Sequence, residues 1–298
     1  MGKALAETWP AARRVFEEAD ETLGFALSKL CFEGPEDQLK LTANTQPALL
    51  TVSVAALAVL REEGLDHARY VAGHSLGEYS ALVGAGCLAF ADALLLVRRR
   101  GQYMQEAVPP GVGAMAAILR LPLEKLETVL HTSAQGEVVQ AANLNSPDQV
   151  VIAGHAGAVA RALEAAKAAG ARRAVLLPVS APFHCSLMAP AQQRLRADLD
   201  ATTFRDLSLP LVNNWQAREI RTGEEAREGL FQQVPNPVRW TETIRYLADQ
   251  GVDRFVEVGA GGVLCGLLKG INPTLTGLKC GEPADLDKLR QPVTCAGQ

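Results

Sequence analysis

The sequence lacks the features that mark membrane, secreted and nucleic-acid-binding proteins. No unbroken apolar run reaches the roughly 18 residues that cross a bilayer, and the N-terminus leads into an amphipathic pattern without the apolar core of a signal peptide. The net charge of −4 over 298 residues leaves no basic excess for nucleic acid. We therefore expect a soluble protein with no membrane and no nucleic-acid partner.

Cysteine is also used sparsely. The chain has no Cys-x-x-Cys pair and no histidine at ligand spacing around its six cysteines, which are Cys31, Cys87, Cys185, Cys265, Cys280 and Cys295. This scatter argues against a zinc site or a disulfide framework and for reduced thiols in the cytoplasm. The turn at 259–262 lacks the Gly-x-Gly-x-x-Gly pattern of dinucleotide binding, so we expect neither a metal nor a bound cofactor.

What the sequence does contain is a Gly-x-Ser-x-Gly turn at residues 73–77, between a short apolar stretch at 68–72 and a helical pattern. Gly73 and Gly77 lack Cβ atoms, so the chain can turn sharply and expose Ser75. The free N–H groups of the following helix favour negative charge beside that serine. A plain strand-to-helix turn could give the same residues, but the flanking strand and helix favour a nucleophile elbow with Ser75 as the nucleophile.

The periodicity of the remaining chain predicts an α/β protein. Helices are predicted over 4–20 with a break at Pro10, 23–30, 42–60 and 91–107, and no β-like run precedes residue 68. Residues 108–180 follow the order β-α-β-β-α-β, with elements at 113–119, 123–130, 138–143, 149–153, 155–170 and 173–179. This order predicts a small unit inserted between two halves of a larger domain, whose later strands fall at 209–213 and 254–258.

Arg100 lies on the apolar side of the predicted helix 91–107. At about 100° per residue it shares an arc with Ala93, Val97 and Met104, whereas the two preceding arginines fall outside that arc. In one interpretation its stem runs along the edge of the core and its head reaches water. In the other, a guanidinium held in a pocket binds a carboxylate through its two-pronged donor face. The helical pattern alone does not separate these two interpretations.

A serine hydroxyl needs a base to become a nucleophile at neutral pH. Of the five histidines, His184 alone combines a strand-end loop, a position outside the insertion and a place downstream of Ser75. His74 adjoins Ser75, where neighbouring side chains diverge, so its ring should point away. No acid between Ser75 and His184 sits in a strand-end loop of the large domain, so a backbone carbonyl or an amide could orient the ring in a Ser–His dyad.

Several short motifs occur together and extend over nearly the whole chain. They are Gly-His-Ser-Leu-Gly-Glu-Tyr-Ser-Ala-Leu at 73–82, Arg-Gly at 100–101 with Met-Gln-Glu-Ala at 104–107, Asn-Leu-Asn-Ser-Pro at 143–147 with Gln-Val-Val-Ile-Ala-Gly at 149–154, Phe-His at 183–184, Asn-Pro-Val at 236–238 and Glu-Val-Gly at 257–259. This combination closely resembles the malonyl-CoA:acyl carrier protein transacylases, which load malonyl units for bacterial fatty-acid synthesis.

The resemblance implies an α/β fold with an α/β-hydrolase-like parallel-sheet large domain, residues 1–107 and 181–298, and an inserted ferredoxin-like small domain, residues 108–180. It implies transfer of a malonyl group from malonyl-CoA to the phosphopantetheine thiol of acyl carrier protein through a malonyl-serine intermediate. Coenzyme A thioester is then a substrate and no cofactor is needed. A cytoplasmic monomer is expected.

The resemblance also assigns roles to residues. Ser75 resembles the family's nucleophile, His184 its base and Arg100 the arginine that pairs with the free carboxylate of malonate. The main-chain carbonyl of Gln233 would orient the histidine, and the N–H of Leu76 would hold the oxyanion. Four further positions are expected to line the substrate pocket: Gln46, Asn143, Asn145 and Phe183. Phe183 before His184 and Leu76 after Ser75 also resemble the malonyl-selective form of the motif.

The sequence departs from the family pattern at its start. The family opens with a strand and a Gly-Gln-Gly-Ser-Gln loop, whose first glutamine is the second oxyanion donor, and the printed sequence begins beyond that point, at a helix. We expect an uncovered sheet edge beside the elbow strand. Loss of one oxyanion donor lowers turnover by on the order of 10²–10³.

Other functions use the same residues. A serine thioesterase of this fold would release free malonate without a carrier protein. An acyltransferase for another carboxylated extender would be revealed by competition with methylmalonyl-CoA. A catalytically impaired carrier-binding protein would form no adduct on Ser75.

Overall fold

The structure, a computed structural model, describes residues 1–179 and 181–291. The protein is an α/β protein in which seven helices precede the first strand and helices and strands are mixed after it, with short 3-10 turns at Ser186–Met188 and Pro283–Asp285. In chain order the elements are α1 Lys3–Thr8, α2 Pro10–Leu23, α3 Leu27–Glu33, α4 Glu36–Leu39, α5 Thr42–Glu62, α6 Leu76–Gly84, α7 Phe90–Glu106, β1 Gly113–Leu119, α8 Leu123–Ala134, β2 Val139–Ser146, β3 Gln149–His155, α9 Ala156–Ala168, β4 Arg173–Leu176, α10 Ala189–Ala201, β5 Leu211–Val212, β6 Glu219–Ile220, α11 Gly223–Gln233, α12 Trp240–Asp249, β7 Arg254–Val258, α13 Val263–Ile271, β8 Thr276–Cys280 and α14 Leu286–Leu289.

The predicted break in the first helix is confirmed. The chain leaves α1 at Trp9, and Pro10 opens α2, where a missing N–H costs nothing because the first turn of a helix has no acceptor for it. The second predicted helix, 23–30, starts later, because Gly24 takes a left-handed conformation (φ 70°) that ends α2, and α3 begins at Leu27.

The unit between β1 and β4 has the predicted β-α-β-β-α-β order. Its four strands form one antiparallel sheet in the order β2-β3-β1-β4, and β1 lies between β3 and β4. Helices α8 and α9 pack against each other and bury the apolar side of this sheet. The strand at 138–143 is longer than predicted, because a bulge lets β2 run on to Ser146. The domain limits 108–180 stay a prediction, and Ser180 lies outside the described residues.

Two strands of the larger part are shorter than the sequence predicts, whereas β7 has the predicted bounds, Arg254–Val258. The elbow stretch 68–72 contributes a single parallel bridge, Val71 to Leu211, and the predicted strand 209–213 contracts to β5, which pairs with β6. Strand β7 pairs in parallel with β8, a strand that its mixed residues Thr-Gly-Leu-Lys-Cys did not reveal. Among the described residues, neither the elbow stretch nor β7 has a second strand partner, and Val256 of β7 is 40% exposed.

Helix α5 forms the centre of the main apolar core. It packs against α2 and α7 and buries Ala48, Val52, Ala55, Ala56 and Val59. By length and composition alone α5 could cross a membrane, because its best 18-residue window has a mean hydropathy of 1.4. Polar residues such as Thr51 and Ser53 interrupt it, so it contains no unbroken apolar run of that length. Because 56% of that window is buried inside the protein, the helix has the environment of a core helix.

Candidate active site

The turn that carries Ser75 is a strained bend between the Val71 bridge and α6. Ser75 has φ 52° and ψ −108°, a conformation that costs a residue with a side chain on the order of 1–3 kcal/mol. A Cβ atom on Gly73 would lie 1.9 Å from the carbonyl of Gly77, so only glycine fits there. The strand–turn–helix setting predicted for Ser75 is therefore present, with the strand reduced to one bridge.

His184 lies beside Ser75, as predicted. The Ser75 hydroxyl and His184 Nε2 are 2.7 Å apart, and His184 Nδ1 is 3.0 Å from the main-chain oxygen of Gln233. Because a carbonyl can only accept, the ring proton sits on Nδ1 and Nε2 is free to accept the serine proton. The sequence left a carbonyl or an amide as the orienting group, and the structure has the carbonyl.

The environment of His184 favours the neutral ring. The side chain is 4% exposed, and burial first and the nearby Arg100 charge second lower its pKa from 6.5 to about 3. Both causes act in the same direction, since a low dielectric and a neighbouring cation each disfavour an imidazolium. The ring is therefore in its base form over the whole neutral range.

Arg100 points inward, so the interpretation in which its head reaches water is wrong. The side chain is 2% exposed and donates from Nη1 to Gln46 Oε1 (2.7 Å) and from Nη2 to Gln233 Oε1 (2.9 Å) and Ser75 Oγ (3.1 Å). Its guanidinium carbon lies 5.6 Å from the centre of the Tyr79 ring. Every one of these partners is neutral, and no carboxylate of a described residue comes within ion-pair distance of Arg100. Burial lowers the pKa of Arg100 from its ordinary value, and the nearby Tyr79 and Glu78 side chains offset this effect only in part.

One main-chain N–H at this turn has no acceptor. The N–H of Ser75 donates to Asn214 Oδ1, that of Gly77 to the His74 carbonyl and that of Glu78 to the Ser75 carbonyl. Within residues 75–78 this leaves the Leu76 N–H without a hydrogen-bond acceptor among the described residues. It is the first N–H of α6, where the helix dipole favours negative charge.

Sequence reasoning missed two buried polar residues below the turn. Asn214 accepts a hydrogen bond from the Ser75 N–H at 2.7 Å and donates one to the Gly73 carbonyl at 2.7 Å. Glu78 Oε2 accepts hydrogen bonds from the main-chain N–H of Asn214 at 3.1 Å and from Gln233 Nε2 at 2.8 Å. Burial raises the pKa of Glu78 to about 7. Asn214 follows the end of β5, so the strand-end rule that selected His184 could also have selected it.

The remaining predicted pocket residues do not touch the serine and histidine side chains. Asn145 Oδ1 is 2.7 Å from Nε2 of His74, which does point away from Ser75, and that ring also meets Trp240 edge-on. Asn143 is buried in β2, where it forms a parallel bridge with Val238. Phe183 is half-buried among apolar side chains. Of the four predicted pocket residues, only Gln46 forms a hydrogen bond with Arg100, and the pocket roles of the other three stay predictions.

Cysteines and acidic residues form no metal site in the part of the chain that the structure describes, where no three His, Cys, Asp or Glu side chains cluster in a way that could hold an ion. The five described cysteines are free thiols, and Cys295 lies outside the described residues. Burial raises the pKa of Cys185, next to His184, to about 11, so this thiol stays protonated and is a poor nucleophile.

Comparison with known proteins agrees with this geometry. The acyl transferase domain family model matches residues 1–272. The malonyl CoA-acyl carrier protein transacylase of Escherichia coli K12 is 49% identical over 280 residues, which cover 94% of this chain and 91% of the relative. The acyl carrier protein S-malonyltransferase structure from Vibrio cholerae superposes with a TM-score of 0.95 at 45% identity, covering 97% of this chain and 95% of that chain.

A further solved structure contains a malonyl-transacylase in complex with its type II PKS acyl-carrier protein. It matches with a TM-score of 0.95 at 46% identity, covering 97% of this chain and 94% of that chain. At such identity and coverage, similarity extends from the fold to the sequence of nearly every element. The chain therefore belongs to the malonyl CoA-acyl carrier protein transacylase family of acyl transferases.

Proposed function

We propose that this protein transfers a malonyl group from malonyl-CoA to the phosphopantetheine thiol of acyl carrier protein through a malonyl ester on Ser75. The observation that carries the proposal is Arg100, a buried cation with neutral partners only, 3.1 Å from the Ser75 hydroxyl. A buried charge without a carboxylate at ion-pair distance is costly. A ligand that brings a carboxylate to this point would supply the missing partner, and an acyl group with a free carboxylate, such as malonyl, does so.

In the first half-reaction Ser75 Oγ attacks the thioester carbon while its proton passes to His184 Nε2. The Leu76 N–H, free of other acceptors, is placed to hold the developing oxyanion. When the carbon–sulfur bond breaks, the sulfur takes the proton from His184 and leaves as coenzyme A. The acyl group stays on Ser75 as an ester.

The second half-reaction runs in reverse with a new thiol. The phosphopantetheine thiol gives its proton to His184 Nε2 and attacks the ester carbon, and Ser75 Oγ leaves and recovers the proton. Coenzyme A thioester and carrier protein are both substrates, so no electrons are transferred and no cofactor takes part. A cytoplasmic location fits these substrates and the free thiols of the described cysteines.

A carboxylated substrate also changes the base. The Arg100 charge is the second of the causes that lower the pKa of His184. A malonyl carboxylate on Arg100 offsets that charge, so the pKa of His184 rises when the correct substrate is bound. The same contact therefore selects the substrate and strengthens the base that its reaction needs.

The direct test is intact-protein mass spectrometry after mixing with malonyl-CoA. We expect an adduct of one malonyl group that peptide mapping places on Ser75, and its transfer to added phosphopantetheinylated carrier protein. Absence of the adduct would contradict the proposal and favour a carrier-binding protein. Loss of the adduct as free malonate without carrier would instead identify a thioesterase.

The acid limb of the pH profile is expected to lie well below pH 6.5. His184 in the free protein is neutral down to a pKa of about 3, so kcat/KM for malonyl-CoA, which reports the free protein, should not fall through protonation of His184 between pH 8 and pH 5. Glu78, with a pKa of about 7, is the other buried group that titrates in this range, so a Glu78→Gln variant is measured in parallel. A limb near pH 6.5 that persists in Glu78→Gln would show an ordinary histidine base.

One observation favours a second candidate, a slow enzyme that binds the carrier protein but turns over weakly. In the segment 75–78 the structure provides the Leu76 N–H alone as a free oxyanion donor. Loss of one such donor costs on the order of 10²–10³ in turnover. Slow formation of the adduct together with slow transfer to the carrier would identify this candidate, whereas a protein that only binds the carrier forms no adduct on Ser75.

A further inference from the structure

The Asn214 side chain forms hydrogen bonds to both ends of the turn that carries Ser75. Its side-chain oxygen accepts the Ser75 N–H and its side-chain nitrogen donates to the Gly73 carbonyl, each at 2.7 Å. The side chain is fully buried, so water does not compete for these hydrogen bonds. One amide therefore fixes the spacing between the residue before His74 and the residue after it.

The position of Asn214 follows from the strand pairing. Val71, ahead of the turn, pairs in parallel with Leu211, ahead of Asn214, so both chains leave their strands at the same edge. The Val71 N–H bonds the Pro210 carbonyl, and the Val212 N–H bonds the Val71 carbonyl. This register sets Asn214 beside Gly73–Ser75.

Two neighbours determine which way the Asn214 amide faces. Glu78 Oε2 accepts the main-chain N–H of Asn214 at 3.1 Å, and Gln233 Nε2 donates to Asn214 Oδ1 at 3.3 Å and to the Ser75 carbonyl at 3.0 Å. A flipped amide would place its NH2 group against the Ser75 and Gln233 donors, and its oxygen against the Gly73 carbonyl. The observed orientation therefore gives the Ser75 and Gln233 donors an acceptor and the Gly73 carbonyl a donor.

This arrangement has a consequence for the free Leu76 N–H. Because the Ser75 N–H is committed to Asn214, the turn keeps its left-handed conformation, and the next N–H along the chain is directed away from the protein's own acceptors. Without these two hydrogen bonds from Asn214, Ser75 can relax toward an ordinary helical or extended conformation. Both the serine oxygen and the Leu76 N–H would then shift relative to His184 and to an acyl carbonyl.

We propose that Asn214 is a positioning residue for acyl transfer, a role that rests on the proposed function. It holds the strained Ser75 turn in the conformation in which the hydroxyl meets His184 and the Leu76 N–H stays free. It touches neither substrate nor the reacting atoms, and the main contacts of the Arg100 side chain do not include it. Its loss should therefore lower kcat and leave KM for malonyl-CoA nearly unchanged.

The test compares two adjacent asparagines of equal burial. Asn214→Leu keeps the size and removes both hydrogen bonds to the turn, and we expect kcat to fall on the order of 10²-fold with KM within about threefold of wild type. The control is Asn213→Leu, because Asn213 is also buried and its oxygen accepts the N–H groups of Gln216 and Arg218, away from Ser75. Thermal unfolding midpoints report how far each substitution destabilises the fold.

An Asn214→Asp variant tests the positioning role through the pH dependence of kcat, which a merely structural role of Asn214 would leave unchanged. A protonated aspartic acid can donate to the Gly73 carbonyl and accept from Ser75 N–H, whereas the carboxylate can only accept. The ratio of its kcat to that of wild type should rise as the pH falls from 8 to 6. Glu78 faces this position directly and titrates in the same range, with a pKa of about 7, so the same ratio is also measured between the Asn214→Asp, Glu78→Gln double variant and Glu78→Gln. Arg100 lies beyond Gln233 and carries its charge in all four proteins.

The outcomes are separable. Equal kcat for Asn214→Leu and Asn213→Leu, or a pH-independent ratio for Asn214→Asp, would overturn the positioning role, and the Asp variant decides the matter if Asn214→Leu does not fold. If wild type and Asn213→Leu transfer no malonyl group, the proposed function itself fails. In that case the labelling rate of Ser75 by phenylmethanesulfonyl fluoride still compares the variants, because this uncharged reagent needs only a well-placed serine and histidine.

Discussion

Replacing Ser75 with alanine is expected to lower malonyl transfer by on the order of 10⁴- to 10⁶-fold and to abolish the covalent adduct. The neighbouring thiol of Cys185 is held protonated by burial, so we do not expect it to take over the acyl group from Ser75. The measurement is the steady-state rate with malonyl-CoA and carrier protein, together with the mass of the protein after incubation with malonyl-CoA.

Ser80→Ala is the matched control for this substitution. Ser80 lies on the same helix, α6, and takes no part in the contacts of Ser75, His184 and Arg100. Its substitution should leave both rate and adduct unchanged. An adduct that forms on Ser75→Ala as readily as on wild type would remove Ser75 from the mechanism.

Replacing Arg100 with alanine is expected to exchange the acyl preference. Truncating one partner of a buried, charge-assisted contact costs about 3–5 kcal/mol, so kcat/KM for malonyl-CoA should fall on the order of 10²- to 10⁴-fold. Acetyl-CoA brings no carboxylate and leaves the wild-type guanidinium unpaired in a dry pocket, so wild type should reject it. Alanine removes that penalty, and the malonyl-to-acetyl ratio of kcat/KM should collapse toward one.

Two further variants make the Arg100 result specific. Arg100→Lys keeps the charge but loses the planar two-pronged donor face, so it should retain malonyl preference with a weaker rate. Arg99→Ala removes the adjacent arginine of α7, which pairs with Asp198 at the surface and should affect neither rate nor preference. A malonyl-to-acetyl ratio that stays at the wild-type value in Arg100→Ala would exclude the carboxylate role.

The site was largely predictable because its parts carry local signals. The Gly-x-Ser-x-Gly motif predicts Ser75 as the nucleophile, and helical periodicity alone predicts that Arg100 lies among apolar neighbours. That periodicity could not say whether the guanidinium reaches water, because the answer depends on Gln46 and Gln233 from other elements. Long-range partners of this kind leave no trace in the spacing of a single helix.

Asn214 and Glu78 show where sequence reasoning stops. Glu78 sits inside the most informative motif of the chain, yet nothing in the motif says that its carboxylate turns inward to meet Asn214, well over a hundred residues away. The short strands had a different cause. Strand pairing depends on residues elsewhere in the chain, and the elbow stretch forms only the single bridge from Val71 to Leu211 among the described residues. Residue preferences, by contrast, report only on the segment itself.

The group that orients His184 is a main-chain carbonyl. Amino-acid substitution changes side chains and leaves backbone oxygens in place, so no single codon change at position 233 can delete this contact, in contrast to the carboxylate of a Ser-His-Asp triad. The side chain of Gln233 is thereby released for a separate task, the contact with Arg100. A substitution at position 233 can therefore change the side-chain contact with Arg100, and with it the proposed acyl preference, while the main-chain oxygen that faces His184 is retained.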